Sequence, residues 1–169
     1  MAIARRHPQV INLNEVEARN ISMGSKFGTA TKQLGLPTGA RGIGCSWYEV
    51  PPGKAAFPRH FHCANEESLF VIEGEGAMRI GDETVPVGAG DYITFPVGPQ
   101  AAHQLHNTGS SPLRYLCFST LHTAEISAIQ TRKKSARWPR RGLAAATGCV
   151  FLLLKVRRSV TTTEKISAE

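Results

Sequence analysis

Residues 53–74 read GKAAFPRHFHCANEESLFVIEG, and this stretch decides the fold and the chemistry that we expect. Side chains of a β-strand alternate between its two faces, so His60 and His62 would present two imidazoles on one face. A carboxylate follows five residues after His62, and a short loop would let it return to that face from the neighbouring strand. Two imidazoles and a carboxylate form a mixed nitrogen and oxygen site that suits a divalent first-row metal.

A third imidazole could complete this set of ligands. His103 would supply a fourth ligand and leave coordination positions open for water or a substrate. His106 follows three residues later, so on an extended chain it would face away from His103 and serve packing or the surface.

Short apolar runs continue on both sides of this stretch, from residue 45 to residue 119, and turn residues such as Gly81-Asp82 separate them. Many short strands at this spacing predict an all-β sandwich or barrel. Residues 10–13 are expected to form a short strand, and residues 29–44, rich in Gly and Thr, a loop. Along residues 69–72 apolar side chains would lie on both strand faces, so a second layer or a partner must cover the outer one.

The chain has 169 residues and a net charge of +7, and the charge is unevenly distributed. Residues 1–121 hold ten basic and ten acidic residues, whereas residues 122–169 carry the whole excess. A basic protein suggests nucleic acid as a partner, but here only the tail could bind it, and we expect no such binding. The basic run, which Pro139 and Gly142 interrupt, predicts a solvated and weakly structured segment.

The length predicts a single domain, and no segment predicts association with a membrane. The longest apolar run, residues 150–154, is far shorter than the ~20 residues that span a bilayer. Arg5 and Arg6 come early, but the apolar region of a signal peptide does not follow them. We therefore expect a cytoplasmic protein.

Two motifs in this order resemble those of the cupin superfamily, and the resemblance covers residues 44–120. The first motif consists of Gly53, His60-Phe61-His62, Glu67 and Gly74, and the second of Gly90, Pro96-Val97-Gly98, His103 and Asn107. The spacing departs from the family pattern by one extra residue before His60 and by two between Gly98 and His103, both in loops. The distance to Gly74 selects Glu67 over the adjacent Glu66 as the acidic residue of the motif.

The resemblance implies an all-β fold, the double-stranded β-helix or cupin jelly-roll barrel, over residues 44–121. Residues 1–43 would be an N-terminal extension that packs on the barrel, and residues 122–169 an irregular, basic C-terminal segment. The residues implied as ligands of a divalent metal ion (Zn, Mn, Fe or Ni) are His60, His62, Glu67 and His103. Because cupins commonly dimerise, a homodimer is expected.

Cupin sites serve different reactions, so three functions stay open. The sequence most resembles small cupins of the sugar-phosphate isomerase type, in which a metal holds substrate oxygens while a base moves a proton. Glu49 is the candidate base, and the candidate residues for binding a substrate phosphate are Lys54, Arg79 and Arg114. The alternatives are a metal-dependent dioxygenase or related oxidoreductase and a non-catalytic sensor or binder of a small ligand.

Overall fold

The computed structural model describes residues 7–130 and strand residues 149–156. Within these ranges the chain forms twelve β-strands, numbered in chain order, and three short 3-10 turns. The strands make two six-stranded antiparallel sheets. In this part of the chain, no helix has the length and apolar character needed to cross a membrane.

Each sheet combines strands that are distant in sequence. The first sheet contains, in spatial order, β1 (Arg19–Met23), β2 (Phe27–Gln33), β3 (Ile43–Val50), β10 (Leu113–Thr120), β5 (Glu67–Glu73) and β8 (Tyr92–Phe95). The second contains β12 (Cys149–Val156), β11 (Ala124–Gln130), β4 (His60–His62), β9 (His103–Asn107), β6 (Glu75–Ile80) and β7 (Glu83–Gly88). The 3-10 turns are Leu13–Glu15, Leu36–Thr38 and Pro99–Ala101. Two facing sheets of this kind form the predicted double-stranded β-helix.

The hydrophobic core lies between the sheets and follows the alternation of the strands. Leu69 and Val71 of β5 point into it, whereas Phe70 and Ile72 point outward and are 40% and 43% exposed. The two-faced pattern predicted for residues 69–72 is therefore present. The largest fully buried apolar side chains are Val50, Val71, Met78, Phe95 and Leu113.

The last residues of the two motifs have structural roles. Asn107 is fully buried, and its amide donates to the carbonyl oxygens of Val50 at 2.8 Å and Ser111 at 2.9 Å. It therefore ties the end of β9 to the first sheet. Gly74 has φ 87°, and a Cβ there would lie 2.7 Å from the Pro112 oxygen, so this turn requires glycine.

The N-terminal segment contributes two strands to the first sheet. The sequence predicts a loop over residues 29–44, but β2 runs through the start of this range and pairs with β3. Thr29 and Thr31 are buried, and the Thr29 hydroxyl donates to the Glu49 carbonyl at 3.0 Å. Threonine is β-branched and favours strands. The neighbouring glycines, which are typical of loops, made this preference hard to recognise in the sequence. The strand expected at residues 10–13 does not form: residues 10–12 have no regular secondary structure, and Leu13 begins the first 3-10 turn.

The second sheet extends past residue 121. The sequence predicts weakly structured chain from residue 122, whereas residues 124–130 form β11, which pairs with β4 on one side and β12 on the other. Its alternation is hard to read because the buried positions hold Glu125 and Ala128 rather than large apolar side chains. The basic run at residues 131–142 lies outside the described residues.

Candidate metal centre

Neighbouring strands of the second sheet supply the three histidines. His60 and His62 lie on one face of β4, because the intervening residue points to the other. His103, at the start of β9, is the direct cross-strand partner of His60. The ring centroids of His60 and His103 are therefore only 4.6 Å apart, and those of His60 and His62 are 5.2 Å apart.

Glu67 approaches the histidines from the opposite sheet. It begins β5, which pairs with β8 and β10. The sequence analysis expected β4 and β5 to be neighbouring strands, but they belong to different sheets. Glu67 Oε2 lies 2.6 Å from His62 Nε2 and 4.0 Å from His103 Nε2. One ligand atom from each of the four predicted residues lies within 4.8 Å of all the others. The barrel thus brings all four together.

A contact at Nδ1 orients each imidazole. Nδ1 lies 2.9 Å from Pro58 O in His60 and 3.0 Å from Ala101 O in His103, and in His62 it lies 3.1 Å from both Glu125 Oε1 and the Ser127 hydroxyl. An Nδ1–H that donates to these acceptors leaves the lone pair on Nε2, which is the atom a metal would bind.

The surroundings of His62 Nε2 indicate whether a cation fits among the four residues. This atom is buried and has no hydrogen-bond partner of acceptable geometry, although Glu67 Oε2 lies close to it. A divalent cation between the imidazole nitrogens and the carboxylate would satisfy both groups. The four residues therefore fit a divalent first-row metal.

Glu125 is a residue of this site that the sequence analysis missed. It is only 4% exposed, and besides the contact with His62 it accepts hydrogen bonds from three successive backbone N–H groups. The donors are Cys63 N at 3.3 Å, Ala64 N at 3.0 Å and Asn65 N at 2.6 Å. Only the strand pairing relates residue 125 to residue 62. The one available signal was a single acidic residue at the start of the otherwise uncharged run AEISAIQ.

Burial and mutual interaction shift the pKa values of the four residues in different directions. Burial would raise the pKa of Glu67, but the close contact with His62 and the nearby histidines lower it to about 2. Burial and the neighbouring His60 lower the pKa of His103 to about 4, and burial also lowers the pKa of His60. Burial opposes protonation of His62 as well, but Glu67 and Glu125 outweigh it and raise the His62 pKa.

A cavity of about 30 Å³ adjoins the ligands. Besides His60, Glu67 and His103, its walls include the side chains of Tyr48, Phe57, Gln104, Tyr115 and Cys117. Tyr48 and Tyr115 stack with their ring centroids 5.2 Å apart. The Cys117 thiol donates to Glu67 Oε1 at 2.8 Å, which leaves Oε2 as the oxygen that faces the histidines.

The other candidate residues lie elsewhere. Among the described residues that line the cavity there is no Lys or Arg, and Glu49 is also absent. Arg114 lies on the outer side of the first sheet, where it contacts Glu49 Oε2 and Glu73 Oε2, each at 2.6 Å. Lys54 packs beside Gly28 in a loop, and Arg79 lies on β6. His106 is exposed, as expected.

Comparisons with known proteins agree with this architecture. The family profile described as "Cupin domain" matches residues 46–119. The uncharacterized protein MJ1618 of Methanocaldococcus jannaschii is 34% identical over 97 residues, which cover 56% of this chain and 75% of that protein. A sugar phosphate isomerase of the cupin superfamily from Silicibacter pomeroyi is 24% identical, with a TM-score of 0.66 over 73% of this chain and 82% of the other. A predicted oxalate decarboxylase from Thermotoga maritima is 26% identical, with a TM-score of 0.58 over 67% of this chain and 99% of the other. With its two-sheet barrel and both sequence motifs, the chain belongs to the cupin family.

Proposed function

We propose that this cupin is a divalent-metal-dependent enzyme that acts on a small substrate bound through oxygen atoms. The metal ligands in this proposal are His60, His62, Glu67 and His103. The observation that carries it is their convergence within 4.8 Å from two sheets, with every Nδ1 already engaged by an oxygen atom. Four protein ligands leave positions for substrate oxygens on a metal that accepts five or six ligands.

When bound, the metal would act as a Lewis acid that stabilises negative charge on substrate oxygens. The protein would contribute a largely apolar cavity that excludes bulk water and a few polar groups that orient the substrate. Burial raises the pKa of Tyr48, so its hydroxyl stays protonated and can donate a hydrogen bond to a substrate. Gln104 already donates its amide to the Phe57 carbonyl at 2.9 Å, which holds that wall of the cavity in place.

Isomerisation of a sugar phosphate is the reaction that the sequence resemblance favours. Such an enzyme needs a cation for the phosphate, and Lys54, Arg79 and Arg114 are the candidates from the sequence. Because no Lys or Arg is found in the described lining of the cavity, the phosphate would have to lie outside it. The proposal therefore places only the sugar oxygens at the metal.

Oxygen-dependent chemistry on a small, phosphate-free substrate is the second candidate. The lining favours it, because Tyr48, Phe57, Tyr115 and Cys117 offer apolar and weakly polar contacts to a substrate that needs no phosphate anchor. Three imidazoles and one carboxylate can hold Fe or Mn with positions left for a substrate and dioxygen.

Metal content tests the site itself. We expect wild-type protein to retain close to one equivalent of a first-row metal by plasma mass spectrometry, and the double variant His60→Ala/His62→Ala to retain none. His106→Ala is the matched control, because this histidine is exposed on β9 and makes its ring contact with the Gly53 carbonyl at 3.1 Å. A wild-type protein that takes up no metal after reconstitution would overturn the proposal.

Turnover assays separate the reactions. Isomerisation predicts exchange of a substrate C–H with deuterated water when the metal-loaded protein meets a panel of sugar phosphates. Oxygen chemistry predicts consumption of dioxygen by iron-loaded protein with phosphate-free substrates. Ligand binding without either signal would instead identify a non-catalytic sensor or binding protein.

A further inference from the structure

We propose that Glu125 is a positioning residue for the metal centre and holds His62 in the orientation and protonation form that a metal requires. This inference rests on the proposed metal site. It adds a residue that lies outside the segment matched by the family profile, which ends at residue 119. Glu125 would act through His62 and need not touch the metal or a substrate.

The first argument is the contact between the two side chains. Glu125 Oε1 lies 3.1 Å from His62 Nδ1, and the carboxylate is almost completely buried. An ionised carboxylate can only accept hydrogen bonds, so it keeps a proton on Nδ1 and leaves Nε2 with its lone pair. The Ser127 hydroxyl also lies 3.1 Å from this nitrogen, but a hydroxyl can donate or accept and selects neither form.

The second argument is the loop that Glu125 also holds. Its two oxygens accept the backbone N–H groups of residues 63–65, at distances from 2.6 to 3.3 Å. These residues connect His62 in the second sheet with Glu67 in the first. A single buried carboxylate therefore sets both the imidazole ring and the path of the chain to the acidic ligand.

The third argument is the strand register. Ser127 is the direct partner of His62 in the pairing of β11 with β4. Glu125 precedes Ser127 by two residues, so both side chains lie on the same face of β11. The pairing itself thus places a carboxylate beside the second histidine of the first motif.

The decisive variant is Glu125→Gln, which keeps the shape of the side chain. In this variant an NH₂ group replaces one carboxylate oxygen, so it would face either His62 Nδ1 and Cys63 N or the N–H groups of Ala64 and Asn65, none of which can accept a hydrogen bond from it. Loss of such an outer contact lowers metal affinity by roughly 10–100-fold, and we expect a weakening of zinc binding in this range, measured by chelator competition.

Two control variants separate orientation of the ring from general loosening. Asn65→Ala removes the acceptor of the His122 N–H at 2.8 Å and loosens the same loop without changing a contact of the imidazole. Ser127→Ala removes the other polar neighbour of His62 Nδ1. Because both leave the carboxylate–imidazole contact in place, zinc affinity should stay within about threefold of wild type.

A second readout reports the ring directly. In zinc-loaded wild-type protein, the His62 Nδ1–H should give a slowly exchanging proton signal in the NMR spectrum, and Glu125→Gln should lose it. A folded Glu125→Gln protein with wild-type zinc affinity and this signal intact would overturn the role of Glu125. Wild-type protein that binds no zinc would instead overturn the metal site.

If the Glu125→Gln protein does not fold, a second variant still tests the role of Glu125. Glu125→Asp keeps the charge, but its side chain is one methylene shorter, so the carboxylate would retreat from the 3.1 Å contact with His62 Nδ1. We expect the folded Asp variant to bind zinc about tenfold more weakly than wild type. Unchanged affinity in this variant would overturn the proposal.

Discussion

Glu67 Oε2 and His62 Nε2 lie 2.6 Å apart, although the two residues belong to opposite sheets of the barrel. Burial disfavours the charge on both groups, but their interaction lowers the pKa of Glu67 to about 2 and helps to raise the pKa of His62. Without a metal, this interaction favours an ionised Glu67 and a protonated His62. A proton on His62 would occupy the ring nitrogen that the proposed metal needs.

Metal binding should therefore compete with one proton. Glu67 is ionised above about pH 4, and His60 and His103 are neutral at pH 7, because burial lowers their pKa values. Only His62 must lose a proton, so zinc affinity should rise with pH through the raised pKa of His62 and then level off. Calorimetry in buffers of different ionisation enthalpy should show about one proton released per zinc below that pKa. Release of two or more at pH 7 would contradict this assignment.

In the metal-free protein, the contribution of His103 to stability should fall between pH 6.5 and pH 4, whereas the raised pKa of His62 acts in the opposite direction. The pKa of His103 falls from an ordinary value near 6.5 to about 4 on folding, so in this range the unfolded chain binds a proton that the folded one does not. The free energy of unfolding should fall by roughly 3 kcal/mol from this group as the pH falls, measured by urea denaturation. In His103→Gln the pH dependence should be clearly shallower, and an unchanged slope would contradict the assignment.

The thiol of Cys117 should matter for the acidic ligand. Its hydrogen bond to Glu67 Oε1 is 2.8 Å long, and Cys117→Ala would leave this oxygen without that donor. A hydrogen bond to a charged group contributes about 1.5–3 kcal/mol, so we expect Cys117→Ala to unfold at lower urea concentration and to bind zinc about tenfold more weakly. Cys117→Ser keeps a donor and should bind zinc within about threefold of wild type. Equal zinc affinities for the Ala and Ser variants would show that the thiol contact has no such role.

Substitution of Arg114 or Glu49 should leave the metal centre unchanged. Both side chains lie on the outer side of the first sheet, where they contact each other. Exposed ion pairs contribute about 0–1 kcal/mol, so Arg114→Gln and Glu49→Gln should alter the free energy of unfolding by less than about 1 kcal/mol. Zinc affinity should match wild type, because neither side chain lines the cavity beside the proposed ligands. A tenfold loss of zinc affinity in either variant would contradict this placement.

The outer face of the first sheet is expected to bind a second copy of the chain. Leu116, Phe70 and Tyr92 are direct cross-strand neighbours on β10, β5 and β8, and Phe70 and Tyr92 are 40% and 65% exposed. Residues 1–121 carry no net charge, so two copies would not repel each other through this region. Sedimentation at micromolar concentration should show a dimer for wild type and a monomer for Phe70→Glu. Val85→Glu, at a 40% exposed position of the second sheet, is the control and should stay dimeric.

Much of the site could be predicted from sequence because it depends on local geometry. Alternation along a strand places His60 and His62 on one face whatever the rest of the chain does. The same rule predicted that His106 would face away from His103, and that Leu69 and Phe70 would lie on opposite faces of β5. The glycines of the motifs mark turns, since positions such as Gly74 have a positive φ.

Glu49, Arg114 and Glu125 show why the remainder could not be predicted. Choosing Glu49 or Arg114 as a site residue requires knowing which face of its strand points inward, and that depends on the sheet that packs against it. Glu125 reaches His62 only because β11 pairs with β4 in one register, although the two residues are separated by 63 positions in the sequence. Long-range pairing of this kind leaves no local signal.

The sequence by itself determined the all-β class, the cupin motifs and the identity of the four residues proposed as metal ligands. The strand pattern and the shared face of His60 and His62 follow from residue type and the two-residue period of a strand, whereas Glu67 and His103 were assigned through the resemblance to the cupin motifs. Only the tertiary structure decided that Glu67 comes from the opposite sheet, that Cys117 and Glu125 contact the ligands, and that Arg114 lies outside the cavity. The physical reason is that a barrel closes through contacts between strands far apart in sequence, and the closure, not the spacing of residues, sets which side chains share its interior.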